Sequence, residues 1–236
     1  MNFKLTEEQR AFSDAVRAFA EKHLREGARA RAHDPGYPWD VARLMAAQGL
    51  LGITIPEAHG GQGGTLMDAV LAIETIASVC PRSADVVQAG NFGAIRVLAQ
   101  FASPEQRERL LRPLLEPSRL IAVGMTEPDA GSAVTELRTS ATPDGEGFRI
   151  NGSKIFTTHG RHADMLLAYV RFGPGVGGIG SVIIERDTPG FTYGMPSKFL
   201  SGEEWVPMFF ANVYVAPGNV LPGPGGVKKQ IAGFNV

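Results

Sequence analysis

Cysteine is almost absent. The single one in 236 residues, Cys80, leaves no mate for an internal disulfide and no thiolate set for a metal cluster. Placed after an apolar helical stretch, it reads as a small buried hydrophobe. Neither charge is in excess: 23 Lys+Arg stand against 24 Asp+Glu, so the basic footprint of a nucleic-acid binder is missing. No run of about 18 uncharged apolar residues occurs, which speaks against a membrane-spanning helix. Met1 to Glu8 carries charge where a secretory signal would be apolar, and a cytoplasmic location is expected. What remains is 44% hydrophobic and 20% charged, the balance of a globular chain long enough for one large domain or two small ones.

Glycine and proline are unevenly spread. Nineteen of the 29 glycines lie after residue 120, and the shift suggests helices giving way to strands and turns. Thr6 with Gln9 three residues later forms a capping box, and Phe12, Val16 and Phe19 share a face of the helix that follows. A second helix is expected from Trp39, with Val41, Leu44 and Met45 inward and Gly49 as its stop. Thr65 with Asp68 opens a third, its stripe Val70, Ile73 and Ala77 leading to Pro81. Ser103-Pro104-Glu105-Gln106 combines an N-cap, a proline at the first helical position and a capping glutamine.

Beyond residue 120 the period changes. Segments 137–142, 148–150, 165–171, 181–185 and 208–215 are separated by the turn dipeptides Asp144-Gly145, Asn151-Gly152 and Pro189-Gly190. The fold class expected is α+β: an N-terminal helical domain over 1–120, then an antiparallel β-barrel or sandwich over 121–226. Near residue 227 the pattern turns helical again, with Val227, Ile231 and Phe234 on one face. Such a stub over 227–236 needs a partner surface, and it reads as the start of a helical bundle missing from the chain.

Several familiar chemistries find no footing. Gly60-Gly61-Gln62-Gly63-Gly64 precedes a helix, but a dinucleotide fingerprint needs glycine where Leu66 stands and a P-loop needs a lysine before its threonine. His159 and His162 are the one close histidine pair, too few ligands for zinc, and a surface or substrate-mouth role is expected of them. No metal is expected. No Gly-x-Ser-x-Gly elbow is present, so hydrolase chemistry has little support. The stretch from 121 to 171 is different. An apolar strand delivers residues 125–132 into a turn rich in hydroxyls and free backbone donors. There Thr126 can hydrogen-bond a polar ring, while Gly131 allows backbone approach to a phosphate that Ser132 can bond. About thirty residues on, Phe156 offers an aromatic face beside Thr157 and Thr158. The plain alternative is a pair of β-turn segments with a buried Phe156.

With these residues in view the chain resembles the acyl-CoA dehydrogenase family along nearly its whole length. Leu5-Thr6-Glu7-Glu8-Gln9, the Pro56-Glu57-Ala58-His59-Gly60-Gly61 loop, residues 125–132, Asn151-Gly152-Ser153-Lys154 and Asn212-Val213-Tyr214-Val215-Ala216-Pro217 look like that family's landmarks in order. The resemblance implies FAD as cofactor and an acyl thioester of coenzyme A as substrate. By position, Val123, Met125 and Thr126 would line and hydrogen-bond the flavin ring. Gly131 and Ser132 would meet the cofactor phosphates, Ser132 also approaching the thioester tail. Phe156 stands where the family usually packs a tryptophan on the flavin, Thr157 adjoins it, and Thr158 matches the hydroxyl pointed at flavin N5. The implied reaction takes the α-proton with a carboxylate and the β-hydrogen as hydride, giving a trans-2-enoyl thioester. The base is expected beyond Val236, since Glu127, Glu136, Glu185, Glu203 and Glu204 read as surface or turn charges and none matches its position. The 236 residues are therefore expected to be inactive alone. An electron-transfer acceptor protein and a homo-oligomer, or a heteromer with a completing subunit, are further implications. A non-catalytic flavin- or acyl-CoA-binding subunit, and a same-fold oxygenase or desulfinase, stay open beside the dehydrogenase.

Overall fold

A computed structural model describes residues 4–200, 203–221, 223–227 and 230. The chain groups into two compact units: Met1–Arg96 with Leu115–Pro117 and Phe199–Glu203, and Val97–Leu114 with Ser118–Lys198 and Glu204–Val236.

The first unit is helical. α1 (Glu7–His23) starts at the expected capping box, with Gln9 N–H donating to Thr6 Oγ1 at 3.1 Å and Thr6 N–H to Gln9 Oε1 at 3.0 Å. Val16 and Ala20 are buried, and Phe12 and Phe19 flank the same core. After the short α2 (Ala28–His33), α3 (Trp39–Ala47) buries Val41, Ala42 and Met45, with Leu44 only half-buried. α4 (Leu66–Ala77) begins at the Thr65–Asp68 box, but its inward stripe differs from the expected one. Ala69, Ala72 and Ile76 face the core, while Val70 is exposed. A helix apolar on most of its circumference carries two plausible stripes, and spacing alone does not choose between them. Pro81 does more than end the preceding run: it is the first residue of α5 (Pro81–Ala89), a helix not anticipated, and α6 (Ala94–Phe101) follows. Cys80 is fully buried, its sulfur 3.1 Å from Ser83 Oγ. The glycine loop folds back on residues 52–56, with Gly61 N–H donating to the Pro56 carbonyl at 3.2 Å. A Cβ on Gly61 would sit 2.2 Å from the Ile55 oxygen, so glycine is there for close backbone approach.

The second unit takes up the chain at Val97, within α6, and continues with α7 (Pro104–Gln106), capped by Ser103 as expected, which runs through a π-helical turn at Arg107–Leu111 into α8 (Arg112–Leu115). Gln106 serves twice, capping through Oε1 and donating from Nε2 to the Gly218 and Val220 carbonyls at 3.0 and 3.1 Å. Nine strands form one sheet: β1 (Ile121–Gly124), β2 (Ser140–Asp144), β3 (Gly147–Thr158), β4 (Met165–Arg171), β5 (Ile179–Glu185), β6 (Phe191–Tyr193), β7 (Ser197–Lys198), β8 (Glu204–Val215) and β9 (Val220–Leu221). Their order is β6-β8-β3-β2-β4-β5-β9, with β1 against β4 and β7 against β8. The sheet is mixed rather than purely antiparallel. β1 lies parallel to β4, Ile121 facing Met165 and Gly124 facing Ala168. Burial on both faces suits that pair: β4 reads Met-Leu-Leu-Ala-Tyr-Val, all buried. Of the helical face expected at the end of the chain, Val227 is buried, whereas Ile231 and Phe234 lie outside the described residues.

Candidate functional site

β1 ends at Gly124, and the chain turns through residues 125–130 beside β3. Three sets of bonds hold that turn. Ile155 N–H donates to the Thr126 carbonyl at 2.9 Å. Glu127 and Ala130 exchange both backbone bonds at 3.1 Å. Lys154, fully buried, donates from Nζ to the Met125 carbonyl at 3.1 Å and to Glu127 Oε1 at 2.7 Å. The Glu127 carboxylate also accepts the amides of Arg138 at 2.6 Å and Thr139 at 2.9 Å. Burial pulls the Lys154 ammonium down to about 8 against the pull of Glu127. For Glu127 burial works upward, but the bonds from Lys154, Thr139 and Arg138 together hold it below the usual carboxylate range. Glu127 is thus an interior anchor and not the turn charge expected. Glu204 departs in the same way, being buried with Lys198, Arg161 and His162 around it.

The other flank is made by an irregularity in β3. Lys154 pairs with Met208 and Thr157 with Val206, so Ile155 and Phe156 together oppose Pro207, a β-bulge. A proline opposite a bulge costs the ladder little, since its missing N–H has no partner to fail there. Phe156 takes φ 55°, unusual for a side chain of its size, and its ring is 55% exposed with its edge against Trp205 at 4.6 Å. The buried Phe156 of the plain alternative is therefore not what forms. The bulge turns the ring outward.

Among the residues expected at a cofactor, Val123, Met125, Thr126 and Thr158 are half-buried and Gly131 and Ser132 exposed. A Cβ on Gly131 would meet nothing within 4 Å, so the backbone there is open to approach. Thr157 is fully enclosed, its hydroxyl without a hydrogen-bond partner. The Ile155–Thr126 bond ties the 123–126 segment to the strand bearing Phe156 and Thr158. His159 is buried, which is at odds with the surface half of the surface or substrate-mouth role expected of it, and His162 is half-buried. Among the described residues no group of three or more His, Cys, Asp or Glu could hold a metal, and no helix is long and apolar enough to cross a membrane. Trp205 escaped the sequence reading, and Lys154 was read only as part of a landmark, not as the buried partner of Glu127. Strand alternation from Ile150 places Lys154 inward, and an inward lysine demands a carboxylate, which would have pointed to Glu127.

Two models of one family match the chain in sequence: the acyl-CoA dehydrogenase N-terminal domain over residues 6–117 and the acyl-CoA dehydrogenase middle domain over residues 122–213. The chain belongs to the acyl-CoA dehydrogenase family. It is 31% identical to an acyl-CoA dehydrogenase of Bacillus subtilis over 98% of its own length and 62% of that protein's. The solved structure of butyryl-CoA dehydrogenase from Megasphaera elsdenii superposes with a TM-score of 0.86 at 31% identity, covering 99% of this chain and 63% of that one. A structure described as the FAD complex of PigA gives 0.87 at 26% identity, over 95% and 60%. The chain thus spans less than two thirds of the length of each of these proteins.

Proposed function

We propose that this chain provides the flavin-facing part of an FAD-dependent acyl-CoA dehydrogenase that converts an acyl-CoA thioester to its trans-2-enoyl form. The observation that carries the reading is the pairing of the 123–132 segment with the outward aromatic at Phe156 through the Ile155–Thr126 bond. FAD is the cofactor, and the residues present suit it. The half-exposed Phe156 ring offers a planar contact, Thr126 and Thr158 offer hydroxyls, and the space around Gly131 admits a phosphate within reach of Ser132. The bound cofactor supplies a hydride acceptor. Val123 and Met125 wall one side of the ring, and Thr157 is the buried residue next to Phe156 in the strand. Ser132 also approaches the thioester tail.

A thioester α-proton is weakly acidic, and its removal calls for a carboxylate in a desolvated setting. Of the five carboxylates weighed from the sequence, four are engaged or exposed, and Glu203, which burial raises, does not match the base position that the resemblance implies. Glu127 serves Lys154, Glu185 is bonded by Arg119, Glu204 is ringed by cations, and Glu136 is exposed. The base is accordingly proposed to lie beyond Val236, and the 236 residues alone to be inactive. A homo-oligomer, an electron-transfer acceptor protein and a cytoplasmic location complete the proposal. The test is reconstitution of the chain with FAD, followed by anaerobic titration with butyryl-CoA, with and without a chain extended past Val236. Flavin retention in both and bleaching only in the extended protein are expected. An extended protein that takes up no FAD would overturn the proposal; bleaching by the 236 residues alone would place the base within them.

A further inference from the structure

Two consecutive residues of β3 grip two consecutive carbonyls of the turn that follows β1. Lys154 Nζ donates to the Met125 carbonyl at 3.1 Å, and Ile155 N–H to the Thr126 carbonyl at 2.9 Å. The peptide between Met125 and Thr126 is trans, and in a planar trans peptide the carbonyl and the N–H point opposite ways. With the Met125 carbonyl drawn inward to a fully buried ammonium, the Thr126 N–H of the same peptide is turned away from the interior. Among the described residues no acceptor meets that N–H, and Thr126 itself is half-buried. The turn therefore carries a preset donor in the segment read above as facing the flavin ring.

Keeping a lysine at this place costs free energy, and apolar side chains of similar volume often replace a buried pair without loss of stability. The surroundings are nevertheless shaped to it. Gly124, the last residue of β1, leaves room for the stem: a Cβ there would come within 3.1 Å of Lys154 Cγ. Glu127 Oε1 accepts from Nζ at 2.7 Å, and the Arg138 and Thr139 amides hold that carboxylate in turn. An apolar residue could fill the space, but it could neither fix the Met125 carbonyl nor place a positive charge behind it where salt screens little. At pH 7 the ammonium keeps its proton, since burial brings its titration down only to about 8.

Resting on the FAD reading above, we propose that Lys154 is a positioning residue for the flavin, acting through the Met125–Thr126 peptide: it holds the Thr126 N–H outward for the ring and favours the reduced cofactor over the oxidised one. Reduction adds two electrons to the ring. A donor already oriented, on a peptide whose carbonyl is polarised by an ammonium, gains more against the electron-rich form than against the oxidised one, because neither the donor nor the charge has to reorganise. Glu127 plays a different part. It keeps Lys154 in place and protonated, while its own negative charge opposes the effect on the ring. The two members of the pair are thus distinguishable: losing the cation disfavours reduction, and losing the anion does not.

The test is the two-electron reduction potential of the full chain loaded with FAD, measured at pH 7 by anaerobic equilibration with a reference dye, which needs neither acyl substrate nor turnover. Lys154→Met should weaken the hold on reduced FAD at least about tenfold more than the hold on oxidised FAD, a fall of about 30 mV in potential. Glu127→Gln should raise the potential or shift it by less. Asn212→Ala disturbs the pairing of β3 with β8 at Asn151, away from the turn, and should leave the potential where it is. A smaller fall in Lys154→Met, or an equal one in Glu127→Gln or Asn212→Ala, makes Lys154 part of the scaffold alone and overturns the inference; FAD uptake in the same experiment leaves the flavin reading standing. An unmodified chain that takes up no FAD overturns both. Should Lys154→Met fail to fold, the double variant Glu127→Gln/Lys154→Met is compared with Glu127→Gln: a lower potential supports the inference, and an equal one overturns it.

Discussion

Replacing Lys154 by methionine isolates what the buried pair contributes. The stem is close in volume to the one it replaces, so no large cavity opens, and the loss is that of the ammonium alone. Removing one member of a buried pair costs about 3–5 kcal/mol because the other charge is left stranded. Glu127 keeps the Arg138 and Thr139 amides at 2.6 and 2.9 Å, which places the expected loss near the lower end, about 3 kcal/mol. The sign of the pH dependence sharpens the test. In the unmodified chain Glu127 titrates below its unfolded value, so its contribution is present above about pH 4.5 and is lost as the pH falls through the folded pKa. In Lys154→Met burial is opposed by fewer bonds, the carboxyl moves upward, and protonation relieves the stranded charge. The difference between the two proteins should therefore be largest near pH 8 and shrink toward pH 5. Urea unfolding followed by tryptophan fluorescence at several pH values measures it. A loss below about 1 kcal/mol, the scale of exposed pairs, or one constant across that range, would refute the account. The double variant Glu127→Gln/Lys154→Met should recover part of the loss.

Three further outcomes are expected. Thr126→Val should weaken FAD binding by about two- to tenfold, one net hydrogen bond of about 0.5–1.5 kcal/mol, and shift the flavin potential; an unaltered affinity and potential would reassign Thr126 to the turn alone. Phe156→Ala should cost about 1–2 kcal/mol in unfolding free energy, well under the 3–5 of a buried ring, because the ring is 55% exposed; FAD affinity should fall more sharply than stability, and Phe156→Trp should preserve both. Asn212 sits at φ 55° in a second bulge, where its amide N–H and side chain bond the Asn151 side chain at 2.9 and 3.1 Å. Asn212→Ala should lower stability by about 1–2 kcal/mol, with Asn212→Gly nearer to neutral; equal thermal midpoints for both would contradict the argument from backbone strain.

Local chemistry proved the most legible part of the sequence. Thr6, Thr65 and Ser103 announce helix starts because a cap and its N3 partner lie three residues apart, and all three boxes form. The inward face of α4 was not readable, since apolar residues occupy both the Val70 and the Ala69 sides of the helix and only the neighbouring helices choose between them. α5 escaped because a proline after a cysteine looks like an ending. The parallel pairing of β1 with β4 is set by residues over forty positions away, beyond the reach of any turn signal. At the candidate site, residue types singled out segments 123–132 and 155–158, which the Ile155–Thr126 bond joins, but the bulge that swings Phe156 out depends on a register with β8 that no local pattern encodes. Glu127 was misjudged because its lysine arrives from a different strand.

The long pairing of β3 with β8 also bears on how the chain is made. Phe148 lies opposite Val215, whereas β2 closes on β3 across the tight turn after Asp144. During synthesis the β2–β3 hairpin can form early, yet one edge of β3 stays unpaired until the residues of β8 have emerged and a long loop has closed. Such closure is modest in entropy but slow, and an open edge invites pairing with another copy. Lys154, sealed away in the finished fold, is until then a charge on that open edge, placed to discourage wrong partners. Shortened versions of the protein that stop before Glu204 would keep the edge permanently bare, and their fate would be decided by aggregation before any question of cofactor or substrate arose.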